Sequence, residues 1–425
     1  MYVTNMCRKC ASVSLLTAAL VGCGASSSPP DKGVDAHAEG GSRADAARDG
    51  TLPHDAHADA EDSRVAGDGG PDDAPASVPD VAILDAAACT GGCPTGYRCS
   101  SANGLPVCRA PSGIPLFTHV FVILEENTSL ATLVASIDTN AAPNFASLRK
   151  TYASGTQYHG VAHPSLPNYV ALTSGSTQGI TCDCAAAPGM AACTPATCNL
   201  IQTNSCTCAQ SVTNLADQIE TAKKTWMAFG DGMGTPCNLA FGAGIYDGGQ
   251  NYAARHVPFV YYDDIQNDTT RCNAHVVDYS LFDPATASSF TYIAPNLVDD
   301  MHNPIPATQG NITDGDNWIG PVVASITSSS TYLDGGLLII VWDEDDNSGI
   351  GTTDSGMLVT DTDNPIPIFV LSPYAKSGGF MSVANMDHYT LLATIEDGLA
   401  LPRLGSAGVP RATFADTLAD YFPDK

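Results

Sequence analysis

Ser165 lies between two prolines in the segment Ala162-His163-Pro164-Ser165-Leu166-Pro167-Asn168-Tyr169. The prolines restrict the backbone on both sides, and Tyr169-Val170-Ala171-Leu172 can open a helix whose amide end faces the serine. Unpaired N–H groups at a helix start are donors for phosphate oxygens, the electrostatic assistance that phosphoryl transfer needs. A serine hydroxyl is a weak nucleophile at its own pKa, so it needs a base or a metal ion beside it. No G-x-S-x-G elbow surrounds Ser165. The chain instead offers runs of carboxylates, Glu125-Glu126-Asn127 and Asp343-Glu344-Asp345-Asp346, whose oxygen donors suit a hard metal ion.

Each acidic run follows a strand-like segment. His119-Val-Phe-Val-Ile-Leu124 stops at Glu125, and a helix is expected next, with Leu130, Leu133 and Ile137 on one face. Gly336-Leu-Leu-Ile-Ile-Val341 stops at Trp342-Asp343. A third apolar run, Ile366 to Leu371, precedes Asp387-His388 and a helix-like stretch from Tyr389 to Leu399. Continuous apolar strands separated by helical stretches predict an α/β fold, a three-layer sandwich whose mostly parallel central sheet is covered on both faces. Polar residues just beyond such strands mark the carboxyl edge, where open α/β sheets place their sites.

The remaining sequence bounds the compartment and the partners. With 45 acidic and 18 basic residues the net charge is −27, which argues against binding a nucleic-acid backbone or carrying a polybasic membrane patch. Arg8 and Lys9 precede a short apolar run that closes with Leu20-Val21-Gly22-Cys23. This reads as a signal peptide over 1–22 and resembles the lipobox of bacterial lipoproteins, with Cys23 lipidated and held in a lipid bilayer. Gly24 after the cysteine leans toward the outer membrane, so the expected location is the cell envelope. Residues 23–88 are rich in Ala, Asp, Gly, Pro and Ser, without an aromatic residue, and read as an acidic disordered tether. Of 15 cysteines, Cys7, Cys10 and Cys23 belong to the leader; four more fall in a small module at 89–110 and eight in the main domain, 115–425. Even groups in an exported chain read as disulfides rather than zinc clusters, with pairing left open. The stretch from Cys182 to Cys208 is expected to be a disulfide-held loop at the rim of the site.

Five motifs occur in a fixed order: Glu125-Glu126-Asn127, His163-Pro-Ser-Leu-Pro-Asn-Tyr169, Asp300-Met-His302-Asn303, Trp342-Asp343-Glu344, and Asp387-His388-Tyr389 through Glu396. Together they resemble the bacterial phosphoesterase family that contains secreted acid phosphatases and is related to the phosphatidylcholine-type phospholipases C. More distantly, Ser165-Leu-Pro-Asn168 is similar to the nucleophile segment of nucleotide pyrophosphatases and phosphodiesterases of the alkaline-phosphatase superfamily. The resemblance implies an alkaline-phosphatase-like fold and a metal held by Glu126, Asn127, Ser165, Asp343 and Glu344, with Ser165 the nucleophile. It places His302 near the phosphate or leaving group, His388 at the histidine position before the last helix, and Asn168 as a donor to a phosphate oxygen. This oxygen-rich set suits one Mg²⁺, Ca²⁺ or Mn²⁺ better than zinc. Where phospholipase-type relatives carry a glycine-rich stretch and a nearby Asp-His, this chain has Asp345-Asp346, which weakens the phospholipase reading.

The expected activity is a phosphomonoesterase of acid-phosphatase type, working through a phosphoserine on small phosphorylated compounds or phospholipid headgroups. Two other readings stand beside it: a phospholipase C-like phosphodiesterase, and a surface binding lipoprotein with an inactive site. Asp343 to Asp346 also fits a solvated turn or a structural calcium loop. Glu125 reads as a neighbour of the ligands, while His119, His159 and His256 receive only structural roles.

Overall fold

Strongly apolar runs that alternate with helices form the centre of this protein. The computed structural model describes residues 89, 91–198, 202–241, 251–302, 311–346 and 365–423. The expected signal peptide, Cys23, the expected tether and residues 242–250, 303–310 and 347–364 lie outside the described residues. Eight strands make the main sheet: β1 (Val120–Glu125), β2 (Ala153–Gly155), β3 (Trp226–Gly230), β4 (Val276–Asp278), β5 (Phe290–Ala294), β6 (Leu337–Trp342), β7 (Ile368–Leu371) and β8 (Met381–Ser382). Their order is β8-β2-β7-β6-β1-β5-β3-β4. Every residue of β1, β5, β6 and β7 is buried. Because successive side chains point to opposite faces, full burial means that both faces of the sheet are covered.

The sheet is mostly parallel, as the sequence predicts, with one reversal. β7 runs antiparallel to both β6 and β2. Its carboxyl end therefore points away from the edge at which β1 and β6 stop. The chain regains that edge through a short parallel pair in which Met386 and Asp387 lie beside Tyr158 and His159. Asp387 then caps helix His388–Gly398 by accepting from the Thr390 amide.

All twelve cysteines from Cys89 to Cys272 are disulfide-bonded. Cys89–Cys99 and Cys93–Cys108 brace a hairpin in which Arg98–Ala102 pairs with Leu105–Arg109. This hairpin is fastened to the main domain. The Arg109 side chain is fully buried and donates to the carbonyls of Ser101 (3.1 Å), Pro423 (2.6 Å) and Gly113. Tyr97 donates its hydroxyl to the Asp397 carbonyl at 2.5 Å. Among the described residues no helix is long and apolar enough to cross a membrane.

Glu396 gives the fold a pH dependence of its own. It is fully buried beside Gln218, and one oxygen accepts from the Leu404 amide at 2.8 Å. Burial pushes its carboxyl up to about 8 from an ordinary 4.5, against the pull of the Leu404 amide and Arg403. A carboxyl whose proton is held more tightly in the folded state stabilises fully below its unfolded pKa, and the contribution is lost as pH rises through about 8. The urea midpoint of the wild-type protein should therefore fall more steeply between about pH 5 and about pH 8 than that of Glu396→Gln. Parallel curves for the two proteins would contradict this account.

Candidate active site

The site begins with register. β1 and β6 run parallel with Leu124 opposite Val341 and Glu125 opposite Trp342, and the ladder continues through the Asp343 amide to the Glu125 carbonyl at 3.1 Å. Both strands therefore end at one level, and the residues after them meet. The Asn127 amide donates to Asp343 Oδ1 at 3.1 Å, and Asn127 Nδ2 donates to Glu344 Oε1 at 3.1 Å. Asn127 adopts φ 25°, a left-handed backbone that asparagine tolerates better than most residues.

Ser165 is the first residue of the helix Ser165–Ser174, so the helix starts at the serine itself and not at Tyr169 as its sequence suggests. Its hydroxyl is buried, 3.2 Å from Glu344 Oε1 and 3.3 Å from Glu126 Oε2. The helix start is thus delivered to the acidic cluster. One of its amides, that of Leu166, is already taken by Asp183 Oδ1 at 2.9 Å. Asp183 belongs to the disulfide-held insertion, whose Cys182 and Cys184 are buried in the core. The insertion is therefore more than a rim loop.

Two expected catalytic groups are occupied elsewhere. Asn168 Oδ1 accepts from the amides of Val161 (2.8 Å) and Ala162 (3.0 Å), while its Nδ2 donates to the Ala162 carbonyl at 2.7 Å. Its carboxamide closes the loop before Ser165 and does not present a donor to phosphate. His388 is fully buried, with Nδ1 3.0 Å from the Tyr158 hydroxyl and Nε2 2.7 Å from the Asp343 carbonyl. Both ring nitrogens are engaged, so His388 positions the backbone of a candidate ligand and does not reach a leaving group.

Other histidines take the places around the cluster. The His302 amide donates to Asp300 Oδ1 at 3.1 Å, and the His302 ring is close enough to Glu126 and His256 to act on both electrostatically. Met301, before it, is buried at φ 68°, a strained conformation for a methionine, and the Asp300 carbonyl accepts from the Glu126 amide at 2.7 Å. His163 has the more open position: its side chain keeps 24% exposure, with Nδ1 2.5 Å from Glu344 Oε2 and Nε2 3.9 Å from Asp345 Oδ1. His256, which sequence reasoning gave no role, is buried with Nε2 3.1 Å from Glu126 Oε1. Its ring stacks on Tyr169, whose hydroxyl donates to the same Glu126 oxygen.

A model of the Phosphoesterase family matches residues 125–402, which contain every one of these groups. The chain belongs to the phosphoesterase family. Relatives include the phosphatidylinositol-3-phosphatase of Mycobacterium tuberculosis, 26% identical over 319 residues, covering 74% of this chain and 86% of that protein. An acid phosphatase of Aspergillus fumigatus is 24% identical over 255 residues, covering 59% of this chain and 49% of its own length. Solved structures of similar shape include a protein in the alkaline phosphatase superfamily from Vibrio parahaemolyticus (TM-score 0.43, 12% identity, 77% of each chain). Another is the phosphonate monoester hydrolase of Silicibacter pomeroyi (TM-score 0.41, 12% identity, 72% of this chain and 77% of that one).

The electrostatics of this phosphoesterase call for a cation. Burial, reinforced by Glu126 and Glu344, pushes the Asp343 carboxyl well above the ordinary range. Burial would raise Glu126 too, but His256, His302, Arg255 and the Tyr169 hydroxyl outweigh it and hold that carboxyl low. Asp343 Oδ2 and Asn127 Oδ1 are buried acceptors that receive no hydrogen bond among the described residues. Unsatisfied buried oxygens beside like charges are costly unless a cation joins them. With Glu126, Glu344 and the Ser165 hydroxyl they offer only oxygen donors, the chemistry that a hard divalent ion takes. The two cysteine clusters with metal-like spacing are disulfide-bonded and are not candidates.

Proposed function

We propose that this phosphoesterase is a metal-dependent phosphomonoesterase of the acid-phosphatase type, acting through a phosphoserine on Ser165. The observation that carries the reading is the Ser165 hydroxyl at the first residue of a helix, within 3.3 Å of both Glu126 and Glu344. Glu126, Asn127, Ser165, Asp343 and Glu344 would hold a divalent ion, which would supply Lewis acidity and neutralise phosphate charge. Glu344 Oε1 and Glu126 Oε2 stand where they can accept the Ser165 proton as the oxygen attacks phosphorus in line. The leaving oxygen is protonated by His302, and the same residue activates the water that cleaves the phosphoserine. Tyr169 donates to Glu126 and Asn127 Nδ2 donates to Glu344, which restrains both carboxylates beside the serine, and His163 Nδ1 stands 2.5 Å from Glu344 Oε2.

The substrates proposed are small phosphorylated compounds or exposed phospholipid headgroups. The name of the mycobacterial relative, a phosphatidylinositol-3-phosphatase, supports including lipid headgroups. The enzyme is proposed to work outside the inner membrane, tethered through a lipidated Cys23.

Phosphate release from p-nitrophenyl phosphate by the full chain tests the activity and the metal together. Turnover should fall at least about 100-fold in EDTA and return with Mg²⁺, Ca²⁺ or Mn²⁺. Turnover indifferent to EDTA would refute the metal. With a phosphatidylcholine substrate, release of diacylglycerol without inorganic phosphate would favour a phospholipase C-like diesterase instead.

A further inference from the structure

The cysteine-dense insertion carries one acidic residue that reaches the nucleophile's helix. Asp183 lies between Cys182 and Cys184, and the two cysteines belong to different disulfides, Cys182–Cys198 and Cys184–Cys208. Its backbone is therefore covalently fixed on both sides. The side chain is 2% exposed; Oδ1 accepts from the Leu166 amide at 2.9 Å, and Oδ2 lies 3.7 Å from Nε of the buried Arg255. Leu166 directly follows Ser165, so this hydrogen bond locks the first turn of the helix whose first residue is the nucleophile. On the far side Arg255 is followed by His256, which touches Glu126 at 3.1 Å. The Cys184 carbonyl also accepts from the Tyr261 hydroxyl at 2.6 Å, tying the insertion to the segment that carries Arg255 and His256.

We propose that Asp183 is a positioning residue for phosphoryl transfer: held by its two flanking disulfides, it sets the direction of the Ser165 hydroxyl through the Leu166 amide. The inference rests on the reading of Ser165 as nucleophile. A hydrogen bond that fixes a helix start aligns the attacking oxygen before substrate arrives, and misplacement by about 1 Å can cost about 100-fold in rate. Since Asp183 does not touch substrate, its loss should act on kcat and leave KM near its wild-type value.

The test compares Asp183→Ala, Asp183→Asn and the double variant Cys182→Ser/Cys198→Ser with wild type, each as the full chain, on p-nitrophenyl phosphate. Asparagine keeps an acceptor for the Leu166 amide but loses the charge that faces Arg255. Asp183→Ala is expected to lose about 10- to 100-fold in kcat with KM within about threefold. Asp183→Asn should recover most of that loss. The double cysteine variant, which leaves Asp183 in place but frees its backbone on one side, should also lose kcat rather than affinity. Should Asp183→Ala fail to fold, the Asn and cysteine variants still decide the matter. Wild-type kcat in the cysteine variant, an Asn variant as impaired as Ala, or a loss confined to KM would overturn the proposal. Ser165→Ala is run alongside. If it stays active, the nucleophile reading fails and the inference falls with it; if it is inactive while Asp183→Ala keeps full kcat, only the inference fails.

Discussion

Ser165→Ala should lower phosphate release at least about 1,000-fold while changing the stability of the folded chain by no more than about 1 kcal/mol. The asymmetry follows from where the hydroxyl sits. Its two near neighbours, Glu126 and Glu344, are carboxylates that other groups already hold: Tyr169 on Glu126, and Asn127 and His163 on Glu344. Removing the hydroxyl strips the site of its proposed nucleophile but leaves those partners in place. Steady-state turnover and a urea titration on the same preparations separate the two effects. Acid quenching of the wild-type enzyme during turnover should trap phosphate on Ser165, and the variant should trap none. Equal turnover in both proteins would mean that water attacks directly, and the covalent mechanism would have to be abandoned.

Asp343→Asn should separate stability from activity in the opposite direction. Asp343 Oδ1 accepts two backbone hydrogen bonds, from Asn127 (3.1 Å) and Glu344 (2.6 Å), and asparagine can keep both. What it removes is a carboxyl that burial, with Glu126 and Glu344 beside it, keeps protonated in the absence of a cation. Without metal at neutral pH, the variant should be more stable than wild type by roughly 1 kcal/mol, because folding no longer has to take up a proton at this carboxyl. With metal, the order should reverse. An ion present at about 100 times its dissociation constant stabilises the wild-type protein by about 2.7 kcal/mol, and the variant should lose most of that gain. Activity should drop at least about 100-fold at subsaturating metal. Melting curves with and without added divalent ion read this directly. A variant that melts lower in EDTA, or that keeps the full metal-dependent shift, would remove Asp343 from the ligand set.

The parts of the site that the sequence reveals are those announced by a strand ending in acid. Glu126, Asn127, Asp343 and Glu344 follow the two most apolar runs, and parallel register carries them to one place. His256 has no such signal. It sits in Arg255-His256-Val257 ahead of Pro258-Phe-Val-Tyr-Tyr262, and only tertiary packing brings it to Glu126. The hint available was physical: an arginine and a histidine leading into a run that is wholly buried need anionic partners. Asn168 and His388 misled for the converse reason. Their residue types suit phosphate chemistry, yet each is consumed by local hydrogen bonds that a linear motif does not display. The direction of β7 was equally hidden, since apolar periodicity is the same for a parallel and an antiparallel strand.

The hairpin that precedes the catalytic sheet also has a mechanical meaning. Tension arriving along the chain at Cys89 is carried across Cys89–Cys99 and Cys93–Cys108 before it can load residue 109. There Arg109 grips the Pro423 carbonyl, so the first and last described segments of the unit share the load. The sheet strands lie beyond this clamp in the chain. A load applied at residue 89 thus meets two covalent cross-links and a buried arginine before it reaches β1 at Val120.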